Sequence, residues 1–293
     1  MMDASRPCLD DAVVREDFKT LAAAVENKAE REFPLRPGSI RGLQYLVQAH
    51  LKVTRNTAEV IRYLCADVPR DPARKPEFCI ATFPLLRTML ESLFSVLFLL
   101  DEPSARTPWY YRASWRDDVE ENERRRAQYG SDPSWSDFLD KRSAWLASSA
   151  DELRLSPHER ADPTSITRWP IPSRMRKYPS LKPDLKQYLV YLDRWFYGSL
   201  SSASHLTGPR LIPAMQILLG DLPTGSFALT PELYRSEATF TSYSLHLALL
   251  SECIHDLGFD LGAKARYLWA LLAPYWPLAK DMYSRRYQTL LQP

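Results

Sequence analysis

Apolar residues recur every three or four positions along nearly the whole chain, the spacing of helices that bury one face. The strict alternation of a half-buried strand is hard to find. From about Asp10 to Phe33, Val14, Phe18, Leu21 and Val25 keep the helical period until Pro34 stops it. A second helix is expected from near Ser39, a residue suited to capping, through Ile40, Leu43, Leu46, Ile61 and Leu64 to Pro69. The third, about Glu77 to Asp101, is the most apolar segment. Pro84 should kink it or mark its true start, and Pro103 should close it. Thr107-Pro108 reads as the cap and first residue of a fourth helix to about Tyr129. Within it, Glu120 with Arg124 and Glu121 with Arg125 are spaced as pairs four residues apart. A fifth helix, about Pro133 to Leu153, carries Trp135, Phe138, Leu139, Trp145 and Leu146 as its apolar face.

The pattern then breaks. Pro163, Pro170, Pro172, Pro179 and Pro183 fall between Ala161 and Pro183, a density that no helix or central strand tolerates. This stretch reads as a long irregular connection across the surface. Helical spacing resumes from about Pro183 to Leu206 and from Pro209 to Leu219. Thr230-Pro231-Glu232 opens a long helix to about Leu257, with Gly258 as its stop. Helices at about Leu261 to Leu272 and Pro277 to Leu291 finish the chain. The expected fold class is all-α, a bundle of about nine or ten helices forming a single domain over residues 1–293, with the Pro-rich connection at about 161–183.

Composition narrows the function classes. Glycine contributes only 9 of 293 residues and proline 23; no GxGxxG, GxxxxGK[ST] or GxSxG occurs, so folds that cradle phosphates on Gly-rich loops or use a nucleophile elbow are disfavoured. No motif calls for a cofactor. Lys plus Arg is 38 against 36 for Asp plus Glu, a net charge of +2 that leaves room only for local charged patches. Cys8, Cys65, Cys79 and Cys253 form no CxxC pair and suit a reducing compartment. The acidic start MMDASRPCLDD lacks the apolar core of a signal peptide. Leu85 to Leu100 is interrupted by Arg87 and Glu91 and falls short of a bilayer span. The expectation is a cytoplasmic protein with no membrane partner.

Candidate chemistry concentrates in three places. Arg87 and Glu91 stand four apart in the apolar run LLRTMLESLFSVLFLL, where charges are costly unless paired. They read either as an ion pair fixing helix register or as part of a site. The run from Tyr197 to His205 puts Ser201 and His205 one turn apart on the sixth helix; this reads either as close helix packing or as a polar pocket. Should the two helices meet, Arg87, Glu91, Ser201 and His205 would form one cluster. The third place is the segment with Arg168, Arg174, Arg176, Lys177, Lys182 and Lys186 against the single acid Asp184. Trp169, Tyr178 and Tyr188 are interleaved, a mixture suited to nucleic acid. His246 and His255 lack the one-turn spacing of a helical metal site, and His246 reads as a satisfied core residue. His50 and His158 have no chemical company.

The combination Leu85-Leu86-Arg87-x-x-x-Glu91 followed by Ser201-x-x-x-His205, over roughly Phe83 to Gly208, resembles a broad bacterial all-helical family of unknown function. That family is in turn distantly similar to the HEPN helical domains. Many of these are metal-independent ribonucleases of toxin–antitoxin and phage-defence systems; others are catalytically dead binding or dimerisation modules. The resemblance implies a HEPN-like core in a defence or stress-response protein, with a partner protein or RNA and homodimer assembly. HEPN ribonucleases carry Arg and His on one helix with four to six residues between them. Here Arg194 precedes His205 by eleven positions, Arg235 precedes His246 by eleven, and Arg154 precedes His158 by four. The expected function is therefore a protein- or nucleic-acid-binding module. The alternatives are an endoribonuclease with His205 as base and Arg87 as phosphate clamp, and a small-ligand sensor.

Overall fold

In the computed structural model the described residues are 11–33, 40, 42–65, 76–204 and 231–292; among them there is no strand. The helices are α1 (Asp11–Arg31), α2 (Leu43–Cys65), α3 (Thr82–Asp101), α4 (Pro103–Tyr129), α5 (Pro133–Glu152), α6 (Pro157–Ala161), α7 (Pro172–Met175), α8 (Pro183–Leu192) and α9 (Gly198–Ser204). They continue with α10 (Pro231–Asp256), α11 (Gly262–Leu272), α12 (Pro277–Met282) and α13 (Gln288–Leu290). A 3-10 segment, Pro76–Ala81, leads into α3, and π-helical segments Asp193–Tyr197 and Tyr283–Tyr287 join α8 to α9 and α12 to α13. The protein is an all-α multi-helix bundle. The expected caps at Ser39 and Thr230 and the expected helix from Pro209 to Leu219 lie outside the described residues.

Three mutually packed helices, α2, α3 and α10, form the centre. α3 is apolar almost all round because it is enclosed almost all round: Leu86, Met89, Leu90, Leu93, Phe94, Val96, Leu97 and Phe98 are buried. Each such side chain contributes about 1.5–3 kcal/mol through water exclusion. With the 3-10 lead-in, Phe78–Asp101 is long and apolar enough to cross a membrane, which corrects the shorter span counted from sequence; 67% of its apolar window is buried inside the bundle. α10 is enclosed too, with Leu245, Leu247, Ala248, Leu249 and Leu250 buried. It stops as expected at Gly258, whose φ is +65°. There the Gly258 N–H bonds to His255 O at 3.0 Å and the Phe259 N–H to Ile254 O at 2.8 Å, closing a Schellman turn.

The corner between α3 and α4 departs from the expectation. Pro103, which was expected only to end α3, is the first residue of α4, and Pro108 lies inside that helix. Pro at the first position loses no helical hydrogen bond, and a buried anchor holds the corner. Arg106 is 1% exposed, donates to Phe98 O, and reaches Glu102 Oε2 and Ser180 Oγ at 3.0 Å each. Its Nη1 lies 2.9 Å from the buried Asp101 carboxylate and its guanidinium 3.9 Å from the Phe98 ring centre.

The Pro-rich connection is irregular but not loose. Trp169 packs into a ring cluster, 5.2 Å from Phe98, 5.2 Å from Trp109 and 4.8 Å from Tyr110 between centroids. Tyr178 joins at 5.2 Å from Phe98, and Trp109 donates to Thr167 O at 2.7 Å. The outer part of α4 pairs with α5 around a second, smaller core of Trp115, Leu146, Ala150, Leu155 and Ile166. On α5 the expected apolar face divides: Leu139 and Leu146 are buried, whereas Phe138 and Trp145 are exposed. Glu121 pairs with Arg125 at 2.6 Å as spaced, while Glu120 pairs instead with Arg116 at 2.7 Å and with Arg168.

Candidate functional site

α3 packs against α9, the meeting that the polar-cluster reading required. Arg87 Nε donates to Glu91 Oε1 at 2.9 Å, and Arg87 Nη2 to the Tyr197 hydroxyl at 3.2 Å. The guanidinium also lies 5.3 Å from the Tyr197 ring centre. The hydrogen bond it donates to Glu91, against the opposing effect of burial and with smaller help from Tyr197, holds the Arg87 proton more firmly than usual. Ser201, one turn beyond Tyr197, is half-buried on α9; His205 lies outside the described residues. The pair is not a core pair, since the two side chains are 26% and 43% exposed. α3 turns this one polar edge outward while the rest of its surface is enclosed. Both charges are thus only partly withdrawn from water, which lowers the desolvation penalty that made them look anomalous in sequence.

The basic segment divides in two. Arg168 is tied to Glu120 and lies 3.7 Å from Asp117; Arg176 Nε lies 2.9 Å from Asp193 Oδ2; Lys182 Nζ lies 3.7 Å from buried Asp101. Arg174, Lys177 and Lys186 are exposed and have no acidic partner among the described residues. The interleaved aromatics are occupied elsewhere: Tyr188 is buried, and Trp169 and Tyr178 belong to the ring cluster on Phe98. The exposed ring of this region is Trp195, with Arg194 stacked 5.9 Å from its centre. The Arg176–Asp193 pair draws α7 against the end of α8. Arg174 and Lys177 thereby flank one partner of that pair, and Arg194-Trp195 follow the other.

A third polar site was not legible in the sequence. α1, α2 and α10 enclose a cavity of about 20 Å³, lined by Arg15, Phe18, Lys19, Arg55, Glu59, Arg62, Tyr243 and His246 among others. His246 is 4% exposed, and its Nε2 is buried without a hydrogen-bond partner. The Nε atoms of Arg15 and Arg62 are likewise buried and unpartnered. Burial and, to a lesser extent, the Arg55 charge lower the His246 pKa to about 4, so the ring is neutral at pH 7. One carboxylate serves two arginines: Glu59 Oε2 is bonded to Arg62 and lies 3.9 Å from Arg15. Arg55 is engaged by Glu26 at 2.7 Å and Lys19 by Glu16 at 3.4 Å. The sequence carries half of the signal, because Arg55, Glu59 and Arg62 mark one face of α2 and Arg15 and Lys19 one face of α1. That these faces meet above His246 depends on the packing of three helices.

On its other side α10 carries a closed polar group. Glu252, fully buried, receives both Nε and Nη2 of Arg286, at 2.5 and 2.8 Å, and Arg286 Nη1 lies 3.3 Å from Asp184. Burial opposes the Arg286 charge, yet the Glu252 carboxylate outweighs it and the guanidinium stays protonated. Among the described residues no group of three or more His, Cys, Asp or Glu is placed to hold a metal ion. No protein-family model, curated protein or solved structure matches this chain.

Proposed function

We propose that this all-helical protein is a binding module for single-stranded nucleic acid, using the surface around α7 and α8. The observation that carries the reading is a segment in which Arg174, Lys177 and Lys186 are exposed with no acidic partner among the described residues, and which also exposes Trp195 beside Arg194. The cations would contact backbone phosphates and the indole would stack on a base, a combination that tolerates sequence variation. The resemblance to HEPN-like domains, taken with the missing local Arg–His dyad, favours the binding branch of that superfamily over the cleaving one. It also suggests a defence or stress-response setting. Arg87 fits this division: its charge is already matched by Glu91 and Tyr197.

The test is fluorescence anisotropy with labelled single-stranded RNA and DNA across a salt series. Binding should weaken as salt rises, with a log–log slope of about −2 to −3 for three or four phosphate contacts. Reversing Arg174, Lys177 and Lys186 to Glu should cost at least about tenfold in affinity, and Trp195→Ala should cost roughly 1–3 kcal/mol for one lost stack. Binding indifferent to these four positions, or none at low salt, sinks the proposal. Incubating the RNA with the protein in EDTA tests the enzymatic alternative, since cleavage that disappears in a folded His205→Ala variant would identify a nuclease instead.

A further inference from the structure

The α1–α2–α10 cavity has hydrogen-bond donors left over. Arg15 and Arg62 both turn to Glu59, whose single charge does not balance two guanidinium groups, and the Nε of each is buried without a partner. Beneath them, His246 presents an unpartnered Nε2 from a ring that is 96% enclosed, at 4% exposure. Buried polar atoms in folded proteins are nearly always satisfied, and several unsatisfied atoms converging on one cavity mark the place of something that completes them. Glu26 Oε1 is also buried without a partner, but Glu26 is turned to Arg55 and does not line the cavity. Phe18 and Tyr243, with ring centres 4.8 Å apart, wall one side and supply no charge. What is missing is therefore an acceptor carrying negative charge.

We propose that this cavity is a binding site for a phosphoryl group, either as the free anion or carried at the end of a larger molecule. An interior of about 20 Å³ has room for about one oxygen-sized group. With His246 in its Nε2–H tautomer, one oxygen would enter to accept that hydrogen bond, while the remaining oxygens stay in the mouth between Arg15 and Arg62. Arginine suits this role because its planar fork matches oxyanion geometry and its charge does not titrate. The site lies on different helices from the nucleic-acid surface proposed above and does not depend on it.

Thermal unfolding in inorganic phosphate, in a phosphomonoester such as phenyl phosphate, and in chloride at matched ionic strength tests the assignment. Phosphate or the ester should raise Tm saturably, by roughly 5 °C at a hundredfold excess over Kd for a chain of this size. Chloride should not, and Arg62→Met should abolish the rise. Tighter binding of the ester would identify a carried phosphoryl group, and equal or weaker binding the free anion. A Tm that follows ionic strength alone, or a rise unchanged in Arg62→Met, overturns the proposal. Should that variant fail to fold, the His246 imidazole signals of the wild-type protein provide the second readout. They must move saturably with phosphate, and resonances unmoved by phosphate reject the site.

Discussion

Glu252 and His246 stand six residues apart on the same enclosed helix, on faces about 120° apart, and both are almost entirely withdrawn from water. They have met opposite fates. Glu252 faces a bidentate guanidinium from a single arginine, with Tyr188 and Tyr287 packed around it, and every strong partner it needs is built into the chain. His246 faces two arginines that share one outside carboxylate, and its own Nε2 has no partner. The difference teaches how to read buried polarity. A satisfied group fixes how helices pack, whereas an unsatisfied one in an accessible cavity points outward, to a molecule that the chain does not supply.

The largest effect that would test this contrast comes from breaking the closed side. Arg286→Met leaves Glu252 buried and unpaired and should cost about 3–5 kcal/mol in a urea titration; adding Glu252→Leu should recover most of that loss. A cost below about 1 kcal/mol would mean that the pair does not anchor α10.

On the open side the effect should depend on pH. The unfolded chain binds a proton at this histidine near pH 6.5, whereas the folded chain binds it only near pH 4. Between those values the unfolded state holds more protons, so stability falls as pH drops from 6.5 towards 4, by about 3 kcal/mol over the full window. Glu26, which burial pushes up against the pull of Arg55, acts in the opposite direction at the acid end. The measurement is therefore the difference between wild type and His246→Leu. Near pH 7 the two should agree within about 1 kcal/mol, since the variant removes an unpartnered polar atom. The acid-side loss should be confined to wild type. A parallel acid response in both would show that His246 is hydrated rather than enclosed.

The smallest effect belongs to Arg87. Its pair with Glu91 is partly exposed, so water screens it, and Arg87→Ala should cost no more than about 1 kcal/mol. A loss comparable to that of Arg286→Met would move this edge into the same class as Glu252.

Much of the fold was legible in the sequence because helical spacing and its punctuation are local. Gly258 ends α10 where the pattern placed it, and Asp132 caps α5 by accepting from the Ser134 N–H at 2.8 Å. What the sequence misplaced depended on distant partners. Thr107-Pro108 has the chemistry of a helix start, but Arg106 is drawn inward by Asp101 and Ser180 and the helix begins at Pro103. Trp169 and Tyr178 sit in a basic, Pro-rich stretch that looks like a stacking surface, yet Phe98 and Trp109 claim their rings. Arg87 and Glu91 were visible because they interrupt an apolar run. His246 interrupts one too, in SLHLALL, but a lone histidine gives no sign of whether its nitrogen is met. Only the approach of α1 and α2 decides that.

The π-helical segment Asp193–Tyr197 bears on how this region of the chain can change length. Its wider turn absorbs about one residue more than an α-helix would over the same rise, so the faces before and after it stay in phase. Deleting a single residue there would restore regular winding and leave both flanking faces where they are. Leu185, Tyr188 and Leu189 upstream and Ser201 downstream would keep their present orientations. A chain one residue shorter at this point would thus keep both its scaffold and the side chains that α9 presents to α3.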